Sequence, residues 1–325
     1  MTPIGVGLIG VGRHGSRYAH HIRNDAPELR LVALARRDVA AARRQAGEFG
    51  CRAYGDYREL LAAADVEAVV IVVPPTLHPE IVEAAAAFRR AVLLEKPAAP
   101  TVAAGRRMLA AIRTAGTPLM VAQTLRYNVV VRTLMAARER LGTLHALRIS
   151  QHFEPSRPGW IDDPAIGGGG ITLHTGVHSF DLMRTFSALE AERVSCEMTS
   201  VVTTRTEDNF SATIRLGGGA ALAMIAGSRA TASRSGAIEL VGSGGQLMGD
   251  HIHGTAREVH GTTVTPLVVP ESTATVGAVL NDFANALRRG TAMPIPLEEG
   301  LRAVAIAEAC YRAARSGRAE LVETV

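Results

Sequence analysis

The sequence has few cysteines, little net charge and no long apolar run. Its three cysteines, Cys51, Cys196 and Cys310, are isolated and odd in number, so they favour neither a disulfide framework nor a zinc site and predict a reducing, cytoplasmic setting. No apolar run reaches the roughly 18 residues that would span a bilayer, so we expect no membrane partner. The Gly-rich N-terminus has no basic region and predicts a strand rather than a signal peptide.

The charge balance argues against a nucleic-acid partner. The formal net charge is +4, from 35 basic and 31 acidic residues, and the basic residues are dispersed without aromatic interleaving. Hydrophobic residues make up 47% of the chain and charged residues 20%, which is typical of an ordinary globular protein. A length of 325 residues predicts about two domains.

The rarest basic residue is lysine. Of the 35 basic residues, Lys96 is the single lysine and the other 34 are arginines. This bias indicates that arginine is used wherever a positive charge suffices. Lys96 is therefore expected where a compact ammonium that can lose a proton is needed, because the arginine guanidinium is planar and permanently charged. The alternative is a surface lysine that remained by chance.

The first part of the chain alternates apolar runs with helical patterns. Continuous Val, Ile and Leu runs predict strands buried on both faces, and strands that alternate with helices predict a doubly wound parallel α/β domain over residues 1–123. The predicted strands are Ile4–Gly10, Leu29–Ala35, Ala68–Val73, Ala91–Glu95 and Leu119–Gln123. The predicted helices are Arg13–Asn24, Asp38–Phe49, Asp56–Ala63, Pro79–Phe88 and Thr101–Ala115.

The pattern changes after residue 123. Longer β-type segments joined by Gly-rich turns predict an α+β domain over residues 124–325, built on a mostly antiparallel open sheet. The predicted strands are Leu144–Phe153, Glu192–Thr203, Asn209–Leu216, Ala220–Ser228 and Ala237–Val241. The predicted helices are Val129–Leu141, Val276–Arg289 and Glu298–Ser316.

Two overlapping GxGxxG frames lie near the N-terminus. The frame Gly10, Gly12, Gly15 follows a predicted strand and opens a helix, where glycines allow a tight turn and let backbone N–H groups approach a pyrophosphate. The frame that begins at Gly5 and Gly7 lies within the strand. A Gly-rich turn without a ligand is the alternative interpretation.

The end of the second strand indicates which nucleotide is bound. Arg36 stands where an NAD site usually has an acidic residue, and its fork can bind a 2′-phosphate, so we expect NADP, with NAD as the alternative. Asp38 is the acidic residue that would serve an NAD site, but it stands at a predicted helix start, where an N-cap role explains it.

Other candidate residues follow the later strands. A Pro pair at Pro74 and Pro75 forms a rigid turn, and Lys96 ends a strand with Glu95 beside it; ligands of open α/β sheets lie at these strand ends. The expected cofactor-binding residues are Gly10, Gly12, Arg13, His14, Arg36, Arg37, Pro74, Thr76, His78, Glu95, Lys96 and Gln123.

A Gly-rich run in the second domain precedes a second candidate group. If the following segment is helical, His174 and His178 stand at i and i+4 on one face, and Asp181 follows three residues after His178. A zinc site is one alternative for two histidines at this spacing, but the sequence offers no HExxH motif and no clear third ligand, so we expect no metal.

Together these motifs resemble the glucose–fructose oxidoreductase / inositol dehydrogenase family (Gfo/Idh/MocA). The resemblance rests on the turn at Gly10–Gly15, the turn at Pro74–His78, the triplet Glu95-Lys96-Pro97, and the Gly-rich run that leads to His178 and Asp181. It implies a Rossmann domain, an α+β domain whose open sheet forms a homodimer or homotetramer, and NAD(P)-dependent oxidation or reduction of a sugar or cyclitol hydroxyl.

The resemblance also implies roles for individual residues. Lys96 corresponds to the family's active-site lysine and His178 to its proton-transfer histidine. The family often has Asp four residues before that histidine, and this chain has His174, which we keep as a third catalytic candidate. A histidine has a pKa suited to taking the hydroxyl proton, and an ammonium stabilises the developing alkoxide.

Further substrate-binding candidates are weaker. Arg126 and Tyr127 follow the last Rossmann strand, and Trp160 is the single tryptophan, in a loop that also holds Arg157. Each has a plain alternative: packing for Arg126 and Tyr127, a surface anchor for Trp160 and a solvated charge for Arg157. The expected substrate-binding residues are therefore Lys96, Arg126, Tyr127, Trp160, His174 and His178.

Two other functions stay open on the sequence. Related folds can bind a dinucleotide without turnover, as a sensor or regulator, because a fold does not fix function. A redox enzyme can also keep its nicotinamide bound and use transient oxidation to allow elimination or glycoside cleavage.

Overall fold

The computed structural model describes residues 2–155 and 159–325. The chain divides into two compact units: unit 1 runs through Thr124 and includes Ala274–Leu301, and unit 2 holds Leu125–Thr273 and Arg302–Val325. The sequence division at residue 123 assigns the segment Ala274–Leu301 to the second domain, whereas the structure groups it with the first. That two-domain division stays a prediction.

The helices and strands are numbered along the chain. The strands are β1 (Ile4–Ile9), β2 (Leu29–Ala35), β3 (Arg52–Tyr54), β4 (Ala68–Ile71), β5 (Ala91–Glu95), β6 (Leu119–Ala122), β7 (Leu144–His152), β8 (Ala191–Thr199), β9 (Asn209–Leu216), β10 (Ala221–Ser228), β11 (Ser235–Gly242), β12 (Gly245–Asp250), β13 (Thr255–His260), β14 (Thr263–Pro266) and β15 (Glu320–Leu321). The α-helices are α1 (Arg13–Asn24), α2 (Val39–Phe49), α3 (Tyr57–Ala62), α4 (His78–Ala87), α5 (Val102–Ala115), α6 (Val129–Ala137), α7 (Pro164–Gly167), α8 (Val177–Ser187), α9 (Thr275–Arg289) and α10 (Leu297–Ser316). Within residues 2–155 and 159–325, none of the helices has the length and apolar character needed to cross a bilayer.

Unit 1 contains the predicted parallel sheet. Over the described residues its six strands lie in the order β3-β2-β1-β4-β5-β6, and every pair is parallel. Strands β1, β4, β5 and β6 are buried along their whole length, as their continuous apolar runs predict. The short edge strand β3 was not predicted from the sequence, because one exposed and two half-exposed residues carry no periodic signal.

The sheet order defines one edge where a ligand can bind. Parallel strands end at the same edge of the sheet. The chain adds β2 and β3 on one side of β1 and β4 to β6 on the other, and open α/β sheets bind nucleotides at the point between β1 and β4 where this order reverses. The residues that follow β1, β2, β4, β5 and β6 therefore lie along one edge of unit 1.

The segment Ala274–Leu301 is fixed to unit 1 by polar contacts. The Asn281 side chain on α9 donates to the backbone oxygen of Asp25 at 2.8 Å, and Arg288 pairs with Glu28 at 3.0 Å. These contacts join positions more than 250 residues apart, so no local sequence pattern indicates them.

Unit 2 is built on a larger sheet. Over the described residues its nine strands lie in the order β14-β13-β12-β11-β7-β10-β9-β8-β15, antiparallel except for the parallel pair β7 and β10. The predicted α+β class is confirmed. Strands β12 to β15, which are short or largely accessible to solvent, were not predicted from the sequence. Strand β8 ends at Thr199 rather than Thr203, because the backbone of residues 201–203 donates to the Asp208 carboxylate.

Candidate active site

The turn after β1 has the close approaches that a dinucleotide cradle needs. Gly10 has φ +93°, and a Cβ there would lie 2.2 Å from the Val72 backbone oxygen. A Cβ on Gly15 would lie 2.0 Å from the Gly10 oxygen, so α1 packs directly on the turn, whereas Gly12 has no atom within 4 Å of its Cβ position. The open position at Gly12, at the N-terminus of α1, fits a pyrophosphate.

The overlapping glycine frame serves packing inside the strand. A Cβ on Gly5 would lie 1.9 Å from the Asp65 backbone oxygen, and one on Gly7 would lie 2.4 Å from a Leu60 methyl group. Protein atoms thus occupy the space beside both glycines, which leaves no room for a ligand there.

Arg36 lies against the glycine turn. Its guanidinium donates to the Val11 backbone oxygen and to the Gln45 side chain, both at 3.1 Å. Asp38 caps α2 by accepting the Ala41 N–H at 3.0 Å, a contact that lowers the pKa of its carboxyl. The Asp38 carboxylate is thus used by the helix, and the Arg36 guanidinium contacts the glycine turn at Val11.

A buried carboxylate stands at the end of β5. Glu95 is 5% exposed and accepts the Tyr18 hydroxyl at 2.6 Å and the Lys96 backbone N–H at 2.9 Å, and the His14 ring nitrogen lies 2.6 Å away. Burial alone would raise the pKa of Glu95, but His14, Lys96 and Tyr18 together lower it to about 2. Glu95 is therefore a fixed negative charge beside Lys96.

Lys96 follows this carboxylate and is half-buried. Its peptide bond to Pro97 is cis. Burial lowers the pKa of the Lys96 ammonium below its ordinary value, and the charge of Glu95 opposes that change. A side chain with these surroundings can stabilise a negative oxygen and exchange a proton.

Tyr18, which was not predicted as a site residue, is fully buried. Its ring lies 5.6 Å from that of His14, one helical turn away on α1. Burial and the charge of Glu95 raise the pKa of Tyr18 well above its usual range, so the phenol stays a hydrogen-bond donor. The spacing of His14 and Tyr18 is the signal in the sequence that could have indicated it.

The turn after β4 is fixed by the imidazole of His78. This side chain is fully buried and one ring nitrogen lies 3.0 Å from the Val73 oxygen; burial lowers its pKa. The placement favours a role in holding the turn Pro75–Leu77 over direct contact with a cofactor. Thr76 is partly exposed in that turn, and Gln123 is buried after β6.

In unit 2, the two histidines lie on consecutive helical segments. His174 belongs to a π-helical turn, Thr172–Gly176, that continues into α8, which carries His178; such turns are frequent at functional sites. Both side chains are half-buried. The Trp160 ring lies edge-on to the His174 ring at 5.6 Å, and a Cβ on Gly167 would lie 3.0 Å from His174 Nε2.

The residues after β6 have structural partners in unit 2. Arg126 donates to both carboxylate oxygens of Asp181 at 2.7 and 2.6 Å, and Asp181 is 1% exposed. Tyr127 is buried, with the Arg132 guanidinium 4.9 Å from its ring centre. These contacts favour packing and positioning roles for Arg126 and Tyr127.

Two further residues, not foreseen from the sequence, hold the start of the histidine segment. Glu207 accepts the Thr172 N–H at 2.9 Å and the Tyr311 hydroxyl at 2.8 Å, and that hydroxyl also accepts the Gly170 N–H at 3.1 Å. A Cβ on Gly170 would lie 2.2 Å from the Glu207 backbone oxygen. The Gly-rich run is therefore needed for close packing under the helix.

The candidate residues thus form two groups, one in each unit. Unit 1 brings His14, Glu95 and Lys96 together, with Arg36 at the glycine turn; Arg13 and Arg37 are exposed. Unit 2 brings Trp160 and His174 together, and Arg157 lies outside the described residues. Among the described residues, one group of side chains, His20, His21 and Asp25, has metal-ligand spacing, and it contains neither His174 nor His178.

Comparison with protein families gives two matches that together cover most of the chain. Residues 4–123 match the model of the Gfo/Idh/MocA oxidoreductase family, described as an NAD-binding Rossmann fold. Residues 135–323 match the model of that family's C-terminal alpha/beta domain.

Individual relatives match over nearly their full length. The chain is 28% identical to inositol 2-dehydrogenase of Rhizobium meliloti (strain 1021), over 96% of this chain and 97% of the relative. Among solved structures, GenD2 from gentamicin A biosynthesis in complex with NAD is 26% identical with a TM-score of 0.89, over 100% and 97% of the two chains. An oxidoreductase domain protein from Kribbella flavida, 24% identical over 99% and 100%, has a TM-score of 0.92 and shows the shared fold.

Proposed function

This chain belongs to the Gfo/Idh/MocA oxidoreductase family, and from that premise we propose that it interconverts a hydroxyl and a ketone on a sugar, sugar derivative or cyclitol, with NADP as the preferred cofactor. The observation that carries the proposal is the edge of the unit 1 sheet where the strands end: an open glycine cradle follows β1 and the single lysine follows β5 of the same parallel sheet. A nicotinamide bound there supplies the hydride acceptor or donor.

The chain's own residues move the proton and stabilise charge. In the oxidative direction His178 accepts the hydroxyl proton, and the Lys96 ammonium stabilises the negative charge that develops on the oxygen. In the reductive direction His178 returns the proton. Trp160 and His174, in edge-on contact, offer an apolar ring and a polar ring nitrogen to a polyhydroxylated substrate.

The proposed NADP preference rests on Arg36. Its guanidinium lies at the glycine turn, after β2, where a 2′-phosphate would be paired by a bidentate fork. The use of Asp38 as a helix cap supports the same assignment. NAD is the alternative, and the NAD complex of GenD2 is the observation that favours it.

A substrate screen tests the reaction. Purified protein is mixed with NADP or NAD and a panel of sugars, keto sugars and inositols, and the near-ultraviolet absorbance of the reduced nicotinamide is followed. We expect turnover with at least one polyol, and a loss of roughly 10²–10⁴-fold in Lys96→Arg and in His178→Asn. Tight cofactor binding without turnover across the panel would favour a sensor, and cofactor that co-purifies and is recycled would favour redox-assisted elimination.

A pair of charge reversals tests the cofactor. Arg36→Asp should weaken NADP binding far more than NAD binding, measured by calorimetry. Arg30→Asp is the matched control, because Arg30 is an exposed residue near the start of β2, the strand that Arg36 follows. An equal effect of Arg36→Asp on both cofactors would remove the 2′-phosphate assignment.

The assembly is also part of the proposal. We expect a cytoplasmic homodimer or homotetramer that associates through the open sheet of unit 2. Light scattering coupled to gel filtration measures the mass, and a monomer at micromolar concentration would contradict it.

A further inference from the structure

The residues around Glu95 form one connected cluster inside unit 1. Its carboxylate receives the Tyr18 hydroxyl from α1 and the Lys96 N–H from its own chain segment, and the His14 ring lies against it. We call His14, Tyr18 and Glu95 the carboxylate cluster. Its two aromatic members come from α1, the helix that opens the nucleotide turn.

The cluster is buried at one end and exposed at the other. Tyr18 is fully buried and Glu95 nearly so, whereas 45% of the His14 side chain is exposed. A buried carboxylate with several donors keeps its negative charge, because each donor stabilises the ionised form. Its carboxylate accepts the Lys96 backbone N–H at 2.9 Å, and its charge acts on the ammonium of Lys96, the one lysine of the protein.

We propose that Glu95 is a positioning residue, held by Tyr18 and His14, that fixes the Lys96 backbone at the end of β5 and supplies the negative charge that keeps the Lys96 amine in its ammonium form near neutral pH. The proposal rests on the role proposed above for Lys96, but it concerns the amine itself and can be tested without a substrate. Glu95 acts through Lys96 and touches no substrate in this scheme.

The competing effects on Lys96 make the neighbouring charge important. Burial disfavours an ammonium, and a lysine placed in a similar environment without a counter-charge would lose its proton more readily. Among the described residues, the ionisable groups that act on this cluster include His14, Arg17 and Tyr18 on α1 and His78 on α4. Burial lowers the pKa of His78, and the charge of Glu95 opposes the effect of burial on the pKa of Lys96.

The sequence allows a direct measurement, because the protein has one lysine. Reductive methylation with formaldehyde modifies only free amines, so the label enters Lys96 and the N-terminal α-amino group. The tryptic peptide Ala91–Arg106 carries Lys96 and is quantified by mass spectrometry. The extent of labelling against pH gives a midpoint that reports proton loss, and a plateau at high pH that reports access of the reagent.

In the unmodified protein without cofactor, we expect the midpoint to lie below 10.5, the ordinary lysine value, and above neutral pH. In Glu95→Gln we expect it to fall by about one pH unit or more, so that labelling well below the midpoint rises about tenfold or more. Glu95→Asp keeps the charge and should leave the midpoint close to that of the parent protein.

Glu67→Gln is the matched control. Glu67 also accepts a backbone N–H, from Gly5 at 2.9 Å, but it is exposed and precedes β4 at the opposite edge of the sheet. The midpoint of Lys96 labelling in Glu67→Gln should equal that of the parent protein. Circular dichroism checks that every variant is folded.

Three results would overturn the proposal: an unchanged midpoint in folded Glu95→Gln, an equal shift in Glu67→Gln, or a parent protein whose Lys96 is already deprotonated at neutral pH. The last of these needs no variant, so the proposal stays testable if Glu95→Gln does not fold. An inactive enzyme with the expected midpoints would contradict the proposed function and leave this inference standing.

Discussion

The two units position their candidate residues in different ways. In unit 1, Gly10, Arg36 and Lys96 each follow a strand of one parallel sheet, so the strand order places them along one edge. In unit 2, His174 and His178 share one helical segment, and contacts from distant positions such as Glu207 and Tyr311 fix that segment.

Candidate residues at strand ends and candidate residues on a helical segment are held in place by different contacts. A site at strand ends depends on backbone packing, since Gly10 of the glycine turn closely approaches both Gly15 of α1 and the chain after β4. A site on a helical turn depends on side-chain partners, such as the Arg126–Asp181 pair. Substitutions should therefore be damaging at the closely packed Gly15 in unit 1 and at the buried Asp181 in unit 2.

The largest effect is expected at Gly15. In Gly15→Ala the new methyl group would lie 2.0 Å from the Gly10 backbone oxygen, so α1 must move away from the turn, and we expect a loss of more than about 3 kcal/mol or a failure to fold. Gly12→Ala is the control: it has open space and should stay folded while cofactor affinity falls. Thermal unfolding and calorimetry separate the two, and equal stability would contradict this account of the turn.

A large effect is also expected in unit 2, at the buried ion pair. Asp181→Ala leaves Arg126 without its carboxylate and should cost about 3–5 kcal/mol in the free energy of unfolding by urea. Glu154→Gln breaks the exposed pair with Arg234 and should cost less than about 1 kcal/mol. If both variants lose the same amount, buried charges do not support the histidine segment in the way proposed.

Acid should weaken unit 1 through Glu95. The pKa of Glu95 falls from 4.5 to about 2 on folding, so its ionised form stabilises the protein above about pH 5, and this contribution is lost as the pH falls towards about 2. A shift of that size corresponds to about 3 kcal/mol. Urea unfolding at several pH values should show a steeper acid loss in the parent protein than in Glu95→Gln; parallel curves would be evidence against it.

The smallest of these effects is expected from a single hydroxyl. Tyr18→Phe removes a donor to a buried carboxylate and should cost about 2 kcal/mol. Tyr57→Phe removes a similar bond, from the Tyr57 hydroxyl to Glu80 at 2.8 Å, but that bond is exposed and should cost less than about 1 kcal/mol. Thermal unfolding measures both, and a reversed order would show that burial does not set the strength of these bonds.

Patterns in the sequence predicted much of unit 1. The apolar runs of β1, β4 and β5 gave the parallel sheet, because a strand buried on both faces must be apolar throughout. The strands β12 to β14, which lie towards one edge of the larger sheet, were not predicted, since exposed residues such as Val264 follow no strong alternation. The residue Tyr18 was missed because its partner Glu95 is 77 positions away.

The order of residues along the chain determined where the glycine turn, the lone lysine and the paired histidines stand, because each depends on neighbours a few positions away. Only the tertiary structure decided that Arg126 holds Asp181, that His78 is enclosed by protein and that Tyr18 binds Glu95. Such pairings are chosen by packing and by the cost of burying an unpaired polar group, and both arise only when distant segments meet.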